Sequence, residues 1–245
     1  MYFRQVLNHD TACASYLFGC KSRGRFAVVD PHADLVDEYI ELADRAGVPI
    51  VAVLETHVHA DHVSGLPELV ARTGATPYLP RGAGVSFEHN TLDDGDVLVL
   101  GNTHVWALAT PGHADAHHAY VLTDHSRGEE PWVVLTGDSL LVGDVGRPDL
   151  HGDDVERMAR ELYRSLTERL LTLPGDVLVG PGHFAGSVCG RGLSSTPHST
   201  IGFERRFNRA LHVEGEDEFV AAVVDDLPPA PDRQAEIVAA NRVSW

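Results

Sequence analysis

Four short apolar runs in this chain each break off into a polar loop that carries histidine or aspartate. Ile50 to Leu54 ends in ETHVHADHVSG, Val105 to Ala109 in TPGH, Trp132 to Leu135 in TGD, and Val177 to Val179 in GPGH. The first run lacks period-2 alternation, the mark of a strand covered on both faces in a sheet sandwiched between layers. Ligand sites in layered α/β proteins gather where several strand ends meet on one side, so this repeated syntax predicts that the four loops converge.

The remaining elements fit such a layered α/β chain. Short strands are expected at Tyr2 to Leu7, Ala14 to Phe18 and Phe26 to Asp30, then a helix from about Asp34 to Ala46 capped by Gly47. Helices are also expected at Leu66 to Arg72, at Asp153 to Leu173 with acidic residues in the first turn, and from about Ser199 to Leu211. With 245 residues, 43% hydrophobic and 22% charged, the chain has the composition of one globular unit with a full core. Residues 1–226 are read as that catalytic unit. Beyond Asp226 the prolines of LPPAPDRQ break any helix, so 227–245 is read as a C-terminal tail or linker.

Nineteen basic against 36 acidic residues give a formal net charge of -17, which repels phosphate backbones and anionic membrane surfaces. That balance disfavours nucleic-acid partners, nuclease chemistry included. No apolar run approaches the roughly 18 residues of a membrane helix, and MYFRQVLNHD lacks the order of a signal peptide, so a cytoplasmic protein is expected. The three cysteines, Cys13, Cys20 and Cys189, form no C-x-x-C pair and their odd number argues against a disulfide framework. Cys13 and Cys20 lie in strand-like sequence and are read as small apolar residues.

The polar loops hold the chemistry. THVHADH offers four ligand-type residues: His57 and His59 can turn toward one point, with Asp61 and His62 forming a second cluster. His113 in TPGH, Asp138 in TGD and His183 in GPGH complete the set, each beside glycines that permit tight turns. A lone histidine would be read as a satisfied core residue; seven ligand-type residues in four equivalent contexts are read as a metal site. Imidazole with carboxylate suits zinc, iron or manganese and not the oxygen-only shells of calcium and magnesium. His89, His104, His117 and His118 lie outside the repeated context and receive no ligand role.

In order and spacing, THVHADHVSG, TPGH, TGDSLLVGDVGRPDL and GPGHFAGSVCG resemble the metallo-β-lactamase superfamily, whose four-layer αββα sandwich places its metal at one edge between the sheets. Thr136 to Leu150, with H-x-AGS-x-CG and STIGFERRFNRAL, is similar to bacterial persulfide dioxygenases within it. The resemblance implies an oxidoreductase that uses O2 to convert a thiol persulfide, typically glutathione persulfide, to sulfite and thiol at one Fe(II) per chain. His57, His113 and Asp138 would be the ligands, two histidines and one carboxylate that leave three positions open. His59 and the catalytic residues Asp61, His62 and His183 would then orient ligands and hold waters. The same seven residues also fit two Zn(II) per chain in a hydrolase of a thioester or lactone, as in glyoxalase II.

Arg147 matches a family arginine near the substrate and suits carboxylate recognition, with Asp149 as a competing structural anchor. Arg205 is a second such candidate, and Arg206 is read as solvent-facing. Cys189 is placed either at the substrate channel, exchanging sulfur with a persulfide, or as an inert buried thiol. Ala114, Ala116 and Ala185 depart from the residues that relatives carry there. The resemblance further implies small-molecule partners only, homodimerisation as its relatives practise it, and no rhodanese domain within this chain.

Overall fold

The computed structural model describes residues 1–151, 154–187, 189–225, 227 and 229–243. Asp153, Asp226 and Trp245, named above as element or unit boundaries, lie outside the described residues, as do Val188 of AGSVCG and Pro228 of LPPAPDRQ.

Two six-stranded sheets form the centre. The first runs β1 (Tyr2–Asn8), β2 (Cys13–Cys20), β3 (Arg25–Val29), β4 (Ile50–Leu54), β5 (Thr76–Pro80) and β6 (Asn90–Leu92) in spatial as well as sequence order. The second holds β7 (Val97–Leu100), β8 (Thr103–Ala109), β9 (His118–Asp124), β10 (Pro131–Gly137), β11 (Leu178–Pro181) and β12 (Ser199–Thr200), again as neighbours in that order. β3, β4 and β5 pair in parallel, as do β10 and β11, while β9 runs antiparallel to both β8 and β10. The ends of β8, β10 and β11 therefore point the same way.

Side-chain alternation divides each central strand between two cores. Tyr16 and Phe18 of β2, Ala52 and Leu54 of β4, Tyr120 and Leu122 of β9, and Val133 and Leu135 of β10 meet between the sheets. Leu17 and Val53 turn outward to Val36, Tyr39, Leu66 and Leu69 on α1 (Val36–Ala46) and α2 (Leu66–Thr73). Val121 and Val134 turn to Leu162 on α3 (Val155–Arg164), Ile201 on α4 (Ile201–Phe207) and Phe219 on α5 (Glu216–Val224). Three cores between four layers make the αββα sandwich, and no helix among the described residues is long and apolar enough to cross a membrane.

Local chemistry moves several boundaries from their expected places. His32 accepts from the Asp34 amide at 3.2 Å and opens a single 3-10 turn, so α1 starts at Val36 and ends, as expected, on left-handed Gly47. The expected helix to Leu173 changes pitch after Arg164, through a wide turn at Ser165–Arg169 and a tight one at Leu170–Thr172. Ser199–Thr200 pairs with β11 before Thr200 caps α4, and Asn208 ends that helix by spending its amide on Leu141 O, Asp144 O and Glu204. β5, β6, β7, β9 and α5 carry no expectation above, and α6 (Gln234–Arg242) forms within 227–245, the stretch expected as a tail or linker.

α6 docks on the THVHADH loop. Asn241 donates to His59 O at 3.0 Å and His62 O at 2.9 Å and accepts from the Ser64 amide at 3.0 Å, so one side chain spans the segment that bears four candidate ligands. Each bond is worth about 1 kcal/mol net, more where the partner cannot reach water. Asn241→Ala is expected to lower stability by about 2 kcal/mol in denaturant unfolding and to speed hydrogen exchange at the Ser64 amide; an unchanged midpoint and exchange rate would show that the latch carries no load.

Candidate metal centre

Asp30 leaves β3 with φ 51°, a left-handed conformation that costs a non-glycine residue of order 1 kcal/mol and is kept where surrounding bonds demand it. Its buried carboxylate accepts from the Thr56 amide at 2.7 Å and the Thr56 hydroxyl at 2.9 Å, just past the end of β4. The same hydroxyl sits 2.9 Å from His57 Nδ1. Because it donates to Asp30, it accepts from His57, which leaves the lone pair of that imidazole on Nε2. His113 is fixed in the same sense: Nδ1 donates to Arg147 O at 2.8 Å, so Nε2 is free.

Asp138 is the third member. One oxygen accepts from His183 Nδ1 at 2.7 Å, and its amide donates to His117 Nε2 at 3.2 Å. Its other oxygen has no partner and lies 3.5 Å from His113 Nε2. Two glycines make room for it: a Cβ on Gly182 would stand 2.6 Å from Asp138 Oδ1, and one on Gly146 would stand 1.7 Å from the Asp138 carbonyl oxygen.

His57 Nε2, His59 Nδ1, His62 Nε2, His151 Nε2 and Asp138 Oδ2 are all buried without a hydrogen-bond partner. An orphaned buried polar atom costs about 1–3 kcal/mol, so a set of lone-pair bearers gathered on converging loops fits a cation that completes their bonding. Imidazole nitrogen with carboxylate oxygen is the donor set of a transition metal. Burial, then the neighbouring His59 and His113, hold His57 well below the ordinary histidine range, in the neutral form that binds metal.

A second cluster adjoins the first. Asp61 Oδ2 lies 2.8 Å from His183 Nε2 and 3.2 Å from His62 Nδ1. Burial opposes charge on His183, but Asp138 first and Asp61 after it outweigh that and hold its pKa well above the usual value. Cys13, read from sequence as an apolar strand residue, belongs here: its Sγ is 3.4 Å from both Asp61 Oδ2 and His183 Nε2. Burial would raise that thiol, yet His183 and His62 bring it down to about 7. Cys189 Sγ lies 3.9 Å from His183 Nε2, but burial pushes it up to about 12, so it stays protonated. His59 turns Nε2 to Glu55 at 2.9 Å and Asp30 at 3.3 Å.

The remaining expected site residues take the following places. The Arg147 guanidinium, offered above to a substrate carboxylate, is buried in a two-pronged pair with Asp149, 2.7 Å on each side, and also donates to Pro229 O at 3.1 Å. Its carbonyl accepts from His113 Nδ1. Arg205 lies on α4 and donates to the carbonyls of Leu171 and Leu173 in the helical layer. Arg206 is exposed, as expected. His117, given no role above, is buried, donates from Nδ1 to the Thr110 hydroxyl at 2.8 Å and holds the Asp138 amide. Neither Cys13 nor His117 carries a linear signal, since strand pairing across the fold brings each to the site.

Gly182→Ala would push a methyl group against Asp138 and move the oxygen that faces His113. A loss of metal affinity of about 10–100-fold is expected, read by chelator competition against protein of unchanged far-UV circular dichroism. Unaltered affinity would mean that Asp138 is not held where the metal needs it.

Residues 10–183 match the family model described as Metallo-beta-lactamase superfamily. Over 240 residues the chain is 30% identical to "Persulfide dioxygenase ETHE1, mitochondrial" of Bos taurus, spanning 97% of this chain and 86% of that one. It superposes with a TM-score of 0.86 on ETHE1 from Myxococcus xanthus, 32% identical, over 99% of this chain and 98% of the other. A metallo-beta-lactamase from Staphylococcus aureus gives 0.91 at 32% identity, over 100% of this chain and 73% of that one. A hydroxyacylglutathione hydrolase of Polaromonas is 33% identical, but over 172 residues, 69% of this chain and 61% of its own length. The chain belongs to the metallo-β-lactamase superfamily and, within it, to the family of the ETHE1 persulfide dioxygenases.

Proposed function

We propose that this protein oxidises a low-molecular-weight thiol persulfide of the glutathione type with O2, releasing sulfite and the free thiol, at one Fe(II) held by His57, His113 and Asp138. The observation that carries this reading is which atoms are spent and which are not. His57 Nε2 and Asp138 Oδ2 are bare beside His113 Nε2, whereas Asp61 Oδ2 and His183 Nε2, which a second ion would need, are 2.8 Å apart and engage each other.

When bound, the ion supplies adjacent open positions for the persulfide sulfur and O2, which two histidines and one carboxylate on one face provide. The sulfane sulfur gains oxygen from O2 and water, and the thiol leaves. The chain's own residues prepare that face. The Thr56 hydroxyl and the Arg147 carbonyl hold two imidazoles in the tautomer that offers Nε2. His183, charged between Asp138 and Asp61, keeps Asp138 ionised and leaves its other oxygen on the side of His113 Nε2, where it would be free to hold the ion. His117 anchors the backbone beneath it.

A second reading, a dinuclear zinc hydrolase of a thioester or lactone, draws on one observation: ligand atoms of Cys13, Asp61, His62 and His183 lie within 4.8 Å of one another. Elemental analysis of anaerobically purified protein, paired with oxygen uptake on glutathione persulfide, separates the two. About one iron per chain with oxygen uptake that disappears in Asp138→Ala supports the dioxygenase; about two zinc per chain with thioester turnover and no oxygen uptake overturns it.

A further inference from the structure

Beyond Arg147 and Asp149 comes His151, a residue that none of the motifs above includes and whose ring lies beside those of His57 and His113. His151 is half-buried, and its Nε2 is enclosed without a hydrogen-bond partner. One ligand atom each of His57, His113 and His151 lies within 4.8 Å of the other two. The rings stand edge to face: His57 and His113 are 4.9 Å apart at 86°, His57 and His151 5.7 Å at 87°, and His113 and His151 5.3 Å at 71°. Imidazoles bound to one ion at about 2.1 Å place their ring centres roughly 5 Å apart, with planes free to cross steeply. A packing histidine looks different: His117 lies nearly parallel to His57 at 27°, with both its nitrogens hydrogen-bonded.

We propose that His151 is a third imidazole ligand of the same ion, joining His57, His113 and Asp138. The inference rests on the single-metal reading above. A fourth protein ligand would leave fewer positions for incoming molecules than the three that His57, His113 and Asp138 alone would leave. A more nitrogen-rich shell also raises the hold on the later transition metals.

The test uses full-length protein loaded with Co(II), whose paramagnetically shifted, exchangeable imidazole N–H resonances report ligated histidines one by one. The proposal expects one such signal to vanish in His151→Gln, a changed visible absorption band, and chelator removal of cobalt faster by at least about tenfold. In His151→Ala, added imidazole is expected to restore the band, which distinguishes a lost ligand from a disturbed fold. Identical resonances, absorption and cobalt release in wild type and His151→Gln overturn it, as does a loss of cobalt in His151→Ala that imidazole does not reverse. The cobalt count in the same samples tests the single-metal reading separately: two ions per chain would sink that reading, while the missing resonance would still decide for His151.

Discussion

A buried imidazolium held between two carboxylates ties this molecule together. His183 comes from the end of β11, Asp138 from the end of β10, and Asp61 from the loop after β4 in the other sheet, so the His183 ring joins both sheets at one point. Burying one unpaired charge costs several kcal/mol, and a buried pair recovers that only with good geometry and further hydrogen bonds. Two carboxylates around one ring call for further positive charge, and, against its burial, Asp61 also raises the neighbouring His62 to about 9. The bare nitrogens of His57, His59 and His62 point to the same remedy, and a divalent cation balances charge and bonding together.

The four-layer architecture serves this point. Between the sheets, alternate residues of β2, β4, β9 and β10 make a rigid apolar slab, and the loops leave the slab from its edge. Backbone bonds cross from sheet to sheet there: His118 N donates to Thr56 O at 2.8 Å and Ala14 N to Gly182 O at 2.7 Å. Tyr120 adds its hydroxyl to Glu55 O at 2.7 Å. Ligands mounted on such ends inherit the stiffness of the strands.

Much of this was legible in the residues. Ile50 to Leu54 is apolar throughout because both its faces are covered, and its length matches β4 to the residue. Gly47 ends α1 because only its lack of Cβ makes a left-handed cap inexpensive. β9 stayed hidden, since HAYVLTD follows a histidine-rich loop and serves two cores, so its apolar content reads as neither strict alternation nor a clean run. Cys13, His117 and His151 were hidden for another reason. Their roles come from tertiary approach, and a strand cysteine or a loop histidine looks the same in sequence whether it meets a metal ligand or water. Arg147 shows the converse: sequence offers its guanidinium to a substrate with Asp149 as the competing anchor, and the structure forms the pair with Asp149.

The latch from α6 bears on how the protein is made. Asn241 grips the carbonyl of His59 across 182 positions of chain, so the metal loop leaves the ribosome long before the side chain that braces it. Until α6 arrives, the loop is a set of histidines and an aspartate on an unbraced turn, open to any ion that imidazole and carboxylate will hold. Firm bracing of that loop therefore waits until α6 has emerged and closed over a loop already in place.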